Sequence, residues 1–230
     1  MSATGSAPDA LTGPATTPEA SPIPILHAVT SDEIVMRAEF LARANRVMNA
    51  GGARVAVHLR VQRLGGRALH ELACRLVELQ NETGAWVIIN DRADVALTSG
   101  ARGVQLTSRS MSPADARHAV PAIPLGASVH SPEDAAAAVE AGARWLVAGH
   151  VFETESHAAH AGRGIAFIER LTMTHPVPVI AIGGVRPEHV PALRAAGAYG
   201  VAVIRGVWHA SDAGAAVIDY LSAHGAPGGR

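Results

Sequence analysis

Short runs rich in Val, Ile and Ala recur along this chain about eight times, each followed by a longer amphipathic stretch. That alternation restricts the fold more than any other feature. The apolar runs are Ile25–Thr30, Arg54–Arg60, Trp86–Asn90, Gly103–Leu106, Pro124–Val129, Trp145–His150, Val177–Ile182 and Gly200–Ile204. Most are continuously apolar rather than alternating, as in strands covered on both faces. Helical periodicity marks Ile34–Asn49, Ala68–Gln80, Pro132–Glu140, Ala166–Met173, Pro187–Ala195 and Ala215–Ala223. Ala50-Gly51, Ala141-Gly142 and Ala196-Gly197 read as left-handed caps between a helix and the next strand. Strand and helix in strict rotation mean a parallel sheet. At 230 residues the sheet is expected to close into a (β/α)8 TIM barrel. An open dinucleotide-binding sheet would want a glycine-rich turn after its first strand, where this chain has Val29-Thr30-Ser31-Asp32. Residues 1–22, rich in Ala, Thr, Pro and Ser, read as a disordered tail before one domain spanning 23–230.

Composition removes several functional classes. Hydrophobic residues make up 48% and charged residues 17%, a globular balance, and the formal charge of −1 gives no drive toward nucleic acid or an anionic membrane. Aromatics at 3% supply no platform for stacking bases. No apolar run reaches the roughly 20 residues of a membrane span. Every basic residue besides histidine is arginine. Without a lysine, Schiff-base aldolase chemistry and an internal pyridoxal-phosphate aldimine are excluded. The single cysteine, Cys74, suits a reducing cytoplasm and reads as buried packing.

In such a barrel the chemistry sits where strands end and helices begin. Gly183-Gly184 closes the seventh strand and Arg205-Gly206 the eighth, where backbone N–H groups often take a phosphate. Arg205 either adds charge there or faces solvent. His130 ends the fifth strand just before Ser131-Pro132-Glu133-Asp134, which reads as a capped helix start. A histidine held neutral there suits proton transfer near pH 7. Arg60, Asn90 and Asp91 place polar groups at neighbouring strand ends, suiting an anionic or heteroaromatic ligand. An Asp91–Arg92 or Asp91–Arg60 ion pair bracing the mouth is the alternative. The loop after Phe152 reads as a lid, and its His157 and His160 lack metal-ligand spacing.

The motifs Leu26-His27-Ala28-Val29-Thr30, Asn90-Asp91-Arg92-Ala93-Asp94, Ser128-Val129-His130-Ser131, Gly149-His150-Val151-Phe152-Glu153-Thr154 and Ala181-Ile182-Gly183-Gly184 resemble the thiamine phosphate synthase superfamily. The likeness covers nearly all of the chain after Pro22. The third and fourth motifs are most similar to its TenI branch, the thiazole tautomerases. That branch implies a cofactor-independent isomerase acting on a carboxythiazole phosphate, with no metal. His130 would move the proton, and Ser128 and Thr154 would join the substrate contacts. The partner implied is a phosphorylated thiazole, with a homodimer as one admissible assembly. The synthase branch, which joins a pyrimidine diphosphate to thiazole phosphate with Mg²⁺, is the alternative. Asp91 matches its first metal aspartate, but Ser110 stands where the second belongs, and Gln62 and His157 replace basic residues. A non-catalytic regulator that senses a phosphorylated ligand is a third reading.

Overall fold

A computed structural model describes residues 22–154 and 161–225. The strands are β1 (Leu26–Val29), β2 (Val55–Leu59), β3 (Trp86–Asn90), β4 (Gly103–Leu106), β5 (Leu125–Val129), β6 (Trp145–Gly149), β7 (Val179–Ile182) and β8 (Gly200–Val203). All pair in parallel with their sequence neighbours, and β8 returns to β1, so the sheet is a closed barrel. Around it run α1 (Asp32–Val35), α2 (Phe40–Gly51), α3 (Gly66–Thr83), α4 (Ala93–Ser99), α5 (Pro113–Ala119), α6 (Pro132–Glu140), α7 (Ile165–Thr174), α8 (Val190–Ala195), α9 (Arg205–Trp208) and α10 (Ala213–His224).

Burial explains the continuous apolar strands. One face of each strand joins a shell against the helices, with Leu26, Val55, Val87, Val104, Leu146 and Val201 among its members. The other face fills the barrel with Val29, Ala56, Trp86, Ile88, Trp145, Val147, Ile180 and Ala202. The Trp145 indole occupies room that Gly126 and Gly103 leave open. A Cβ on Gly126 would run into the ring, and one on Gly103 would lie 3.1 Å from it. Large beside absent side chains is how a small barrel packs without a pore.

The helices start where the sequence supplies caps. Ser131 accepts from the N–H of Asp134 with Pro132 opening α6, as expected, and Ser112 with Pro113 repeats the device at α5. Three local expectations need correction. The stretch 34–49 is two helices, because the chain turns between Met36 and Glu39. Gly142 and Gly197 carry the left-handed caps, but after α2 the positive φ belongs to Gly52, since Gly51 stays in the helix. Cys74 is only half-buried, with its Sγ 3.8 Å from the His70 ring. The tail at residues 1–21 and loop positions 155–160, including His157 and His160, lie outside the described residues. Among those described, no helix is long and apolar enough to cross a membrane.

Candidate active site at the barrel mouth

The carboxyl ends of the strands surround a cavity of about 500 Å³. Arg60, Asn90, Ser128, His130, Thr154, Gly183 and Arg205 line it, so seven of the residues singled out in the sequence do meet there. Asp91, Gly184 and Gly206 do not. Thr107, Ser108 and Arg109 add a further wall.

The floor is polar, and its groups are held from below. Gln105 of β4 is 1% exposed, takes the indole N–H of Trp145 on Oε1 at 2.8 Å, and donates from Nε2 to the Ser128 hydroxyl at 3.0 Å. The indole can only donate, so it fixes which end of the Gln105 amide faces Ser128. The Ser128 oxygen accepts that bond, leaving its proton to donate elsewhere. Sequence reasoning passed over Gln105. The available signal was a lone polar residue in the apolar run Gly103-Val104-Gln105-Leu106. Beside it, Asn90 of β3 lies 3.3 Å from Nδ1 of His58 on β2, whose Nε2 is 2.7 Å from Nδ1 of His27 on β1. Both imidazoles are buried. Burial lowers the His27 pKa to about 4, against the opposing pull of its bond to the Pro24 carbonyl. Burial and then the charge of His27 push His58 well below its ordinary value, against a small lift from Asn90.

The rim carries the charge. Arg60, Arg109 and Arg205 all reach the cavity, a set suited to phosphate oxygens. His130 holds the Gly149 carbonyl 3.0 Å from Nδ1. A carbonyl only accepts, so Nδ1 bears a proton and is taken by this bond, which leaves Nε2 for another partner. Gly183 has a φ of 104°, and a Cβ there would strike His150, so only glycine lets the backbone edge the cavity at this point. Gly184 and Gly206 answer to packing instead. A Cβ on Gly184 would press on Phe152, and one on Gly206 would meet the Tyr220 hydroxyl.

Neither of the alternative ion pairs of Asp91, with Arg92 or Arg60, forms. Arg92 turns to Asp94 at 2.6 Å. Asp91, at a φ of 63°, accepts on Oδ1 from the Thr107 amide at 3.2 Å, the Thr107 hydroxyl at 2.6 Å and the Ser110 hydroxyl. One carboxylate with an oxygen committed to three donors does not fit a protein-held Mg²⁺. Among the described residues no group of three His, Cys, Asp or Glu side chains is placed to hold a metal.

Residues 26–207 match the family described as thiamine monophosphate synthase. The chain belongs to that family. The thiamine-phosphate synthase of Methanoculleus marisnigri is 38% identical over 190 residues, covering 82% of this chain and 90% of its own. That of Salinispora arenicola is also 38% identical, over 80% of this chain and 89% of its own. The solved thiamine phosphate pyrophosphorylase of Pyrococcus furiosus superimposes with a TM-score of 0.78 at 29% identity, covering 87% of this chain and 95% of that one. These findings correct the branch and the reaction expected from the motifs. The relatives are synthases, which are transferases, so neither the tautomerase assignment nor the isomerase class stands.

Proposed function

We propose that this family member is a transferase of the thiamine-phosphate synthase type, joining an aminopyrimidine diphosphate to a thiazole phosphate. The carrying observation is similarity to synthases over four-fifths of the chain. The mouth supports it with arginines for two phosphorylated groups above a polar floor for a heterocycle. In the transfer, the thiazole nitrogen forms a bond to the exocyclic carbon of the pyrimidine, and the carbon–oxygen bond to diphosphate breaks. Arg60 and Arg109 meet charge on the departing diphosphate. Gly183 and Arg205 receive the thiazole phosphate, with Gly184 and Gly206 shaping the turns behind them. No proton moves between carbons, so His130 has a holding role, through Nε2, rather than a shuttling one. Asp91 keeps the rim in shape, and no step is assigned to a metal.

The test is to incubate the protein with both substrates and follow pyrophosphate release and coupled product together. Equal amounts of each are expected, and neither when one substrate is omitted. Tight binding of both substrates without product would leave a phosphate-ligand sensor in place of the transferase.

A further inference from the structure

Beneath Asn90 lies a chain of hydrogen bonds whose protons can be counted. The Pro24 carbonyl is 2.8 Å from His27 Nε2, His27 Nδ1 is 2.7 Å from His58 Nε2, and His58 Nδ1 is 3.3 Å from the Asn90 amide oxygen. The carbonyl only accepts, so His27 carries its proton on Nε2. In a neutral ring Nδ1 is then an acceptor, and His58 must donate to it from Nε2. That leaves His58 Nδ1 an acceptor as well, and an acceptor needs a donor opposite it.

With the Asn90 oxygen at that end, three bonds require three protons on two rings, hence a buried imidazolium. No carboxylate takes part in the chain, and an unpaired charge there is costly. Turning the amide end for end removes the charge and needs no extra room, because its oxygen and nitrogen are nearly the same size. Asn90 is 8% exposed and lines the cavity, so the end turned away from His58 is the one a ligand meets.

We propose that the His27–His58 dyad is a positioning device: its neutral proton order holds the Asn90 nitrogen on His58 and turns the Asn90 oxygen to the cavity, so that the floor accepts a hydrogen bond from a ligand N–H. The lowered pKa values of both histidines agree with the neutral order. The inference deepens the transferase reading and rests on it only for the ligand, since the exocyclic amine of an aminopyrimidine is such a donor. Neither histidine touches the ligand's amine in this arrangement; both act through Asn90.

Two measurements test it on the full chain. In ¹⁵N-histidine-labelled protein without ligand at pH 7.5, long-range nitrogen–proton NMR should show His27 and His58 both protonated on Nε2. A proton on Nδ1 of His58 overturns the proposal whatever the protein catalyses. By calorimetry, the wild type should prefer a 4-aminopyrimidine monophosphate to its 4-oxo counterpart by about tenfold or more, one buried hydrogen bond's worth of discrimination. H27F removes the acceptor for His58, frees its tautomer and should cut the preference to about threefold or less, with pyrophosphate affinity within about twofold of wild type. H27N keeps an acceptor near the position of Nδ1 and should restore the preference, which also covers an H27F protein that fails to fold. Equal or better binding of the 4-oxo compound by the wild type overturns the proposal. Both histidines on Nε2 with neither pyrimidine bound supports the dyad's proton order and sinks the transferase reading instead.

Discussion

Gln105 shows how one buried side chain serves packing and recognition together. It lies where the barrel filling gives way to the cavity, and it passes the fixed polarity of Trp145 to Ser128. Q105L keeps similar bulk but strands the indole N–H in the barrel. Urea denaturation should show a loss of about 1–3 kcal/mol, the cost of an unsatisfied buried donor, while a loss below about 0.5 would mean Trp145 finds another partner. His130 invites the opposite expectation. The proposed coupling requires no proton relay, so H130N, which keeps a donor and an acceptor at the mouth, should lose less than about tenfold in kcat, below the usual range for removing an acid–base group. A thousandfold loss with a bell-shaped pH profile would return His130 to acid–base work.

Short elements set the shape of the mouth. The four-residue helix α9 follows β8 and lies against α10 through Gly206, where only a missing side chain clears the Tyr220 hydroxyl. That hydroxyl donates to the Val185 carbonyl at 2.9 Å, so it pins α10 to the loop after β7. Burial first, then Glu188, raises the Tyr220 pKa to about 12, consistent with a phenol that serves as a donor. G206A should destabilise the fold by about 1–3 kcal/mol through overpacking, and Y220F in the same chain should recover part of that. Thermal melts of the single and double variants decide this; an unaffected single variant would show that α9 shifts freely. The turn that holds Asp91 is another such device. Its hydrogen bonds tie the end of β3 to the loop after β4 and occupy Oδ1, which leaves one oxygen of a single carboxylate for an ion. Titrating the ligand-free protein with Mg²⁺ alone should give no binding tighter than about 1 mM, weaker than typical dedicated oxygen-ligand sites. Submillimolar affinity lost in D91N would contradict that.

For the whole molecule, the buried histidines link stability to pH. A His27 pKa near 4 when folded, against 6.5 when unfolded, means that below pH 6.5 the unfolded chain takes up a proton the folded chain refuses. The His27 contribution is complete above about pH 6.5, falls as the pH drops toward 4, and levels off below that. His58 acts in the same direction. Melting temperature should therefore decline from pH 7 to 5, less steeply in H27N; parallel slopes in both proteins would refute the linkage.

The barrel was legible in the sequence because strands buried on both faces leave long apolar runs, and because Ser-Pro and Ala-Gly mark where helices begin and end. Those are local signals, and β3 and β4 match the expected spans to the residue. Membership of the wider family was also legible, since its motifs sit at strand ends. The reaction was not legible in the two strand-end motifs, because the likeness to synthases is spread over four-fifths of the chain. Tertiary structure alone decided the rest. Only the parallel pairing of β1, β2 and β3 brings residues 27, 58 and 90 into one line of hydrogen bonds, as strand neighbours separated by about thirty residues each. Only packing shows that Gly206 answers to Tyr220 and Asp91 to Thr107, because sequence spacing carries no distance between segments that only the fold brings together.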